Sequence, residues 1–136
     1  MTDSPNDIVR RHYSTDEHLR IRQETHEKYT VPHVSFSDWA LACVPWSGDE
    51  AVLDVGCGNG LYYPSLMKQH PNLRYVGLDL VTTMLEKHPA TEGLLQADAA
   101  ILPFANNTFD IIMANHMLFH VGDIDQALRE FCLLYT

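Results

Sequence analysis

The stretch AVLDVGCGNG, Ala51 to Gly60, constrains the fold more than any other part of the chain. An apolar run interrupted only by Asp54 leads into three glycines within five positions, Gly56, Gly58 and Gly60, and then into a segment of helical character from Leu61. A buried strand that turns through glycines into a helix is the opening of a parallel α/β unit, whose crossover helix must pack back on the sheet. Glycines at that turn also let the backbone approach a ligand closely at the carboxyl end of the strand, where open α/β sheets bind small molecules.

The remaining sequence repeats this alternation. Short apolar runs at Ala51–Val55, Leu73–Leu78, Leu94–Ala97 and Phe109–Ala114 read as strands. Between and after them, helices are predicted from near Leu61 to His70, with Pro64 tolerated in the first turn and Pro71 beyond the end, and from about Thr82 to His88. A last helix is predicted from Asp123, capped with Gln126, with Ile124, Ala127, Leu128, Phe131 and Cys132 on its buried stripe. Right-handed crossovers then give a Rossmann-like, doubly wound parallel sheet over residues 51–136.

Residues 1–50 read as a helical cap. Ser4 with Asp7, and Ser14 with Glu17, have capping-box spacing, which predicts two helices with a break near Tyr13. A third begins at Ser35 with Asp38, presents Phe36, Trp39, Ala40, Cys43 and Val44 on one face, and stops at Pro45.

Charge narrows the partners. Nine Lys plus Arg against eighteen Asp plus Glu leave a formal net charge of −9, which repels phosphate backbones and anionic lipid, so neither nucleic acid nor membrane is an expected partner. Arg10, Arg11, Arg20 and Arg22 alternate with Asp16, Glu17, Glu24 and Glu27 and read as a solvated helix face. Cys43, Cys57 and Cys132 have neither disulfide-framework nor zinc-knuckle spacing. MTDSPNDIVRR carries no apolar signal core, and a reducing cytoplasm is the expected compartment.

The ligand class follows from spacing. A dinucleotide fingerprint GxGxxG begun at Gly56 and Gly58 requires glycine at position 61, which is Leu61. Asp54, just ahead of the turn, suits a cationic amino group better than a pyrophosphate. A nucleotide-type ligand bearing a charged amino acid is therefore expected.

At this point the sequence resembles class I S-adenosylmethionine-dependent methyltransferases of the small-molecule type. VLDVGCGNG resembles their first motif, YVGLDL the end of their second strand, and LLQADAAILPFANNTFDIIMANHMLFHV their third strand through the segment after the fourth. The resemblance implies S-adenosylmethionine as cofactor, with its methionine part held at Asp54, Gly56, Cys57, Gly58 and Gly60. It implies that Asp79 accepts the ribose hydroxyls and that Leu80 touches the adenine. Asp98 would accept from the adenine amino group beside the Ala99 N–H, and Asn115 would line the reactive methyl group through its backbone.

His116 and His120 have the i, i+4 spacing of a helical metal pair, but no third ligand accompanies them at an informative spacing, so no metal is expected. His120 is instead the candidate base or acceptor contact, with a packed histidine as the alternative. Tyr13 and Tyr29 are candidates to close over the cofactor, with ordinary packing equally open.

The expected function is methyl transfer to a small-molecule acceptor. The alternatives are a non-catalytic S-adenosylmethionine-binding module and, disfavoured by Leu61, half of a nicotinamide-dependent oxidoreductase. The resemblance covers Ala51 to Glu130, and the family's further strands are missing, so a truncated chain with an incomplete sheet is expected. Its fourth strand, flanked by apolar Ile111, Ile112 and Met113, would be an uncovered edge that seeks a partner, with a homodimer as the expectation.

Overall fold

A computed structural model describes residues 2–29 and 35–135. Its centre is β1 (Ala51–Val55), buried along its whole length. It is flanked by β2 (Arg74–Asp79) and β4 (Ile111–Met113), with β3 (Leu94–Gln96) beyond β2, in the order β3-β2-β1-β4 with every pair parallel. The chain thus lays down strands outward on one side of β1 and then returns to its other side. A crevice opens at such a reversal, at the carboxyl ends of the strands.

Alternation along β1 sends side chains to two cores. Ala51, Leu53 and Val55 meet Leu78, Leu102, Phe109, Ala127 and Leu134 on one face. Val52 meets Leu41, Tyr62, Leu66 and Leu73 on the other. Asp54 shares the face of Val52, opposite Gly77 of β2 and Met113 of β4.

β4 is shorter than the sequence predicts. Phe109 is drawn into the core edge-to-face with Phe104, and its N–H donates to the Leu134 carbonyl (3.3 Å), while the Asp110 carboxylate takes the Ala51 N–H (2.8 Å). Likewise α4 (Tyr63–Gln69) starts two residues after Leu61, because the Gly60 N–H to Cys57 carbonyl bond and the Tyr63 N–H to Gly60 carbonyl bond hold that stretch as turns. α5 (Thr82–Leu85) stops before His88, whose N–H reaches only three residues back, to Leu85.

α6 (Ile124–Tyr135) begins with the expected cap, the Gln126 N–H donating to Asp123 Oδ1 (3.0 Å). Its buried stripe differs from the expected one: Ala127 and Leu134 are buried with Phe131 packed beside them, whereas Ile124, Leu128 and Cys132 are exposed. The helix carries two apolar stripes, and the core takes the one led by the small Ala127, which lets the helix lie close to the sheet.

The N-terminal region forms α1 (Pro5–His12) and α2 (Glu17–Tyr29) with a break at Tyr13. The Ser4–Asp7 capping box is made in both directions. Ser14 does not cap α2; its hydroxyl donates to the Arg11 carbonyl, and Asp16 stands directly before the helix. α3 (Phe36–Ala42) is capped by Ser35, whose hydroxyl accepts from the Asp38 N–H. It buries Leu41, while Phe36, Trp39 and Cys43 of the expected face are exposed. Two turns of helix present only one residue squarely to the core, and Phe36 turns toward His116 instead (5.4 Å between rings).

Among the described residues no helix is long and apolar enough to cross a membrane.

Candidate functional site

A cavity of about 640 Å³ lies at the carboxyl ends of the strands. Its floor is the strand tips and the glycine turn, where Gly56 (φ +69°) and Gly58 (φ +56°) take a backbone conformation that side chains disfavour. A Cβ on Gly56 would stand 2.7 Å from Cβ of Met117, so the glycine lets the segment after β4 close against the turn. Gly60 (φ +82°) does not line the cavity; a Cβ there would meet Pro89 at 2.7 Å and His88 Nε2 at 2.8 Å. Its bareness makes room for His88 rather than for a ligand.

Asp54 lines the cavity yet is only 2% exposed. Burial pushes its carboxyl up to about 7, with the Asp79 charge adding to the rise and a hydrogen bond from Tyr75 opposing it. No ion pair to Asp54 forms among the described residues. Cys57, also on the floor, is buried, and burial raises its thiol, so it is no thiolate.

Asp79 ends β2 with both carboxylate oxygens anchored, Oδ2 accepting the Gly58 N–H and Oδ1 the Val81 N–H, each at 2.9 Å. Burial raises its carboxyl too. Leu80 follows on the cavity wall. Asp98 accepts the Ala100 N–H (2.9 Å) and, from α1, the side-chain amide of Asn6 (2.6 Å). Ala99 is buried beside it and Asn115 lines the opposite wall.

The first two helices roof the cavity through Asn6, Val9, Tyr13 and Leu19. Tyr13 Oη lies 2.9 Å from His120 Nε2, with the rings edge-to-face. The turn is fastened by Thr83 Oγ1 donating to the Tyr13 carbonyl (3.1 Å) and by Lys87 to Asp16 (2.5 Å). Burial, followed by the charges of His12 and Arg22, holds the His120 imidazole below its ordinary value. Tyr29, the other aromatic expected over the cofactor, is 68% exposed and is not among the lining residues.

His116 and His120 do not share a helix. His116 sits in a loop at φ +54°, and His120 closes a 3-10 turn, Leu118–His120. Tyr62 was not singled out by sequence pattern: its ring is buried against Leu66 and Val52, it lines the cavity, and its hydroxyl has no hydrogen-bond partner among the described residues.

Residues 53–133 match the methyltransferase domain family. The chain belongs to that family. Among curated relatives, this methyltransferase-family chain is 31% identical over 99 residues to a malonyl-[acyl-carrier protein] O-methyltransferase of Legionella pneumophila, covering 62% of this chain and 35% of the relative. It is 35% identical over 105 residues to a 2-phytyl-1,4-naphtoquinone methyltransferase of Synechocystis, covering 68% and 44%. It therefore spans between a third and a half of the length of these relatives. Among solved structures, a putative S-adenosyl-L-methionine-dependent methyltransferase from Methanococcus maripaludis superposes with a TM-score of 0.69 at 20% identity, covering 88% of this chain and 58% of that one. A putative methyltransferase solved with the Haloferax volcanii Trm112 activator gives 0.71 at 21% identity, covering 98% and 56%. These likenesses show the fold.

S-adenosylmethionine is the cofactor that the family and fold imply. The site fits it. Among the described residues, a buried carboxylate without a cation suits the amino group, an anchored strand-tip carboxylate suits vicinal hydroxyls, and the unpartnered Tyr62 hydroxyl leaves a polar atom open to a ligand.

Proposed function

We propose that the chain binds S-adenosylmethionine in this cavity and directs its methyl group to a small-molecule acceptor. The observation that carries the reading is Asp54: a carboxylate buried at the cavity floor with no cation beside it among the described residues calls for a ligand that brings one. Asp54 receives the amino group, and Gly56, Cys57 and Gly58 hold the methionine part, with Gly60 supporting the turn from behind. Asp79 accepts the ribose hydroxyls, and Leu80 packs on the adenine. Asp98 and the Ala99 N–H take the adenine edge, while Asn115 lines the reacting end.

When bound, the cofactor supplies a methyl group already activated on a sulfonium. The chain's residues then align the acceptor and exclude water. Such alignment can be worth about 7–11 kcal/mol, against roughly 10²–10⁴-fold from a general base. His120, kept neutral by its surroundings and paired with Tyr13, is the candidate acceptor contact or base. The acidic net charge and the naphthoquinone acceptor of the Synechocystis relative support a small acceptor. The outer edge of β4 pairs with no strand among the described residues, and we read it as the face through which two copies join.

Transfer of labelled methyl groups from the cofactor to a pool of small acceptors tests the reading. Label in a small-molecule product, lost in Asp79→Ala, supports it. Cofactor binding without transfer to any acceptor favours a binding module.

A further inference from the structure

Asp54 does not hold its place alone. Its Oδ2 accepts the hydroxyl of Tyr75 from β2 at 2.8 Å, and that same Tyr75 oxygen lies 3.1 Å from Nε2 of His88. The direction of this chain is fixed by its far end. Nδ1 of His88 accepts the Ala90 N–H (3.0 Å), so the ring proton of the neutral imidazole is on Nε2 and is donated to Tyr75 Oη. The Tyr75 hydrogen is then left for the carboxylate. Burial keeps His88 neutral.

Two glycines make room for the relay. Gly77 faces Asp54 across the β1–β2 pair, and a Cβ on it would lie 3.1 Å from Cε1 of Tyr75, whose ring leans over the bare position. Gly60 leaves the space that His88 fills. Tyr63 of α4 packs edge-to-face on both rings, at 4.8 Å from Tyr75 and 5.2 Å from His88. Neither Tyr75 nor His88 lines the cavity, so both act through Asp54.

We infer that Tyr75 and His88 are positioning residues for cofactor recognition: their one-way relay presents Asp54 as a hydrogen-bond acceptor aimed at the ammonium of the ligand's amino-acid end. This deepens the proposed cofactor reading and rests on it. The other titratable groups facing Asp54 oppose its charge or leave it uncompensated. They are Asp79 from β2, Cys57 from the turn and Tyr62 ahead of α4. With the relay intact, ammonium binding draws the carboxyl into its ionised form, so affinity rises with pH through the range in which Asp54 loses its proton.

Calorimetry of the whole chain with S-adenosylhomocysteine, compared with 5′-methylthioadenosine, which lacks the amino-acid end, tests the inference. Tyr75→Phe is expected to weaken S-adenosylhomocysteine about ten-fold near neutral pH and to leave methylthioadenosine unchanged. It should also move the pH-dependent rise of S-adenosylhomocysteine affinity to higher pH, while Asp54→Asn abolishes that rise. His88→Leu, which leaves Tyr75 donating to Asp54 but without its ordering partner, should weaken S-adenosylhomocysteine in the same direction as Tyr75→Phe and by less, and His88→Gln, which retains a donor, should bind like the parent; this pair carries the test where Tyr75→Phe fails to fold. Equal weakening of both nucleosides, or an unchanged S-adenosylhomocysteine profile in Tyr75→Phe and His88→Leu, overturns the relay while the cofactor reading stands. Failure of the unaltered chain to bind either nucleoside overturns both.

Discussion

Tyr75 on β2 donates its hydroxyl to the carboxylate of Asp54 on β1 over 2.8 Å, crossing the gap that Gly77 leaves bare. The bond joins the cavity floor to groups behind it, and it makes the floor's chemistry depend on how the sheet is packed.

The buried Asp54 carboxyl makes a contribution to ligand-free stability that falls with rising pH. Asp54 sits at about 7 in the folded chain against 3.8 for the free group. The folded state therefore binds this proton more tightly than the unfolded one. That contribution is full below the unfolded value and is lost as pH rises through the folded value, by up to ~4 kcal/mol. Denaturant unfolding across this range should show the decline as a narrowing stability difference between the parent and Asp54→Asn. A difference between parent and Asp54→Asn that does not decline between these two values contradicts the account.

Gly77→Ala tests the gap itself. The added methyl would stand 2.9 Å from Leu94 Cδ2, 3.0 Å from Cys57 Sγ and 3.1 Å from Tyr75 Cε1. Overpacking of this kind costs about 1–3 kcal/mol, and here it also pushes Tyr75 off Asp54. Thermal unfolding should show the loss, together with S-adenosylhomocysteine affinity reduced in the manner of Tyr75→Phe. An unchanged melting temperature would mean that the neighbours give way freely.

Tyr13→Phe removes the bond between the roof and the 3-10 turn that carries His120. One neutral hydrogen bond of about 1 kcal/mol corresponds to roughly a five-fold shorter residence time for S-adenosylhomocysteine, with little change in association. Stopped-flow displacement reads this directly. Equal dissociation rates in the two proteins would show that the contact does not retain the ligand.

The outer edge of β4, unpaired among the described residues, makes an association prediction. Beside it Val44, Pro45, Phe131 and Tyr135 border a shallow groove, and an unpaired edge next to apolar surface favours pairing with a second copy. Light scattering at micromolar concentration should report a dimer. A monomer excludes this use of the edge.

What was legible in the sequence was whatever depends on local pattern. The strand at Ala51–Val55, the glycine turn, the Ser4 and Ser35 caps and the Asp123 cap all follow from residue type and short spacing, and each stands where expected. The strand-tip residues Asp54, Asp79, Asp98 and Asn115 are brought to one cavity because a parallel sheet gathers its carboxyl ends. Choices decided by distant packing were not legible. α6 could bury either of two stripes, and only the fit of Ala127 against the sheet selects one. Asn6 meets Asp98 across ninety-two positions, and Tyr75 meets His88 through the space left by two glycines. Gly77 within a buried strand was the available sign of close approach; nothing comparable marked Asn6.

The most direct measurement of the central claim is a crystal structure of the chain grown with S-adenosylhomocysteine. The account predicts its amino group against Asp54, its ribose hydroxyls on Asp79 and its adenine beside Asp98 and Ala99. Density for the nucleoside elsewhere, or an amino group turned away from Asp54, would contradict it.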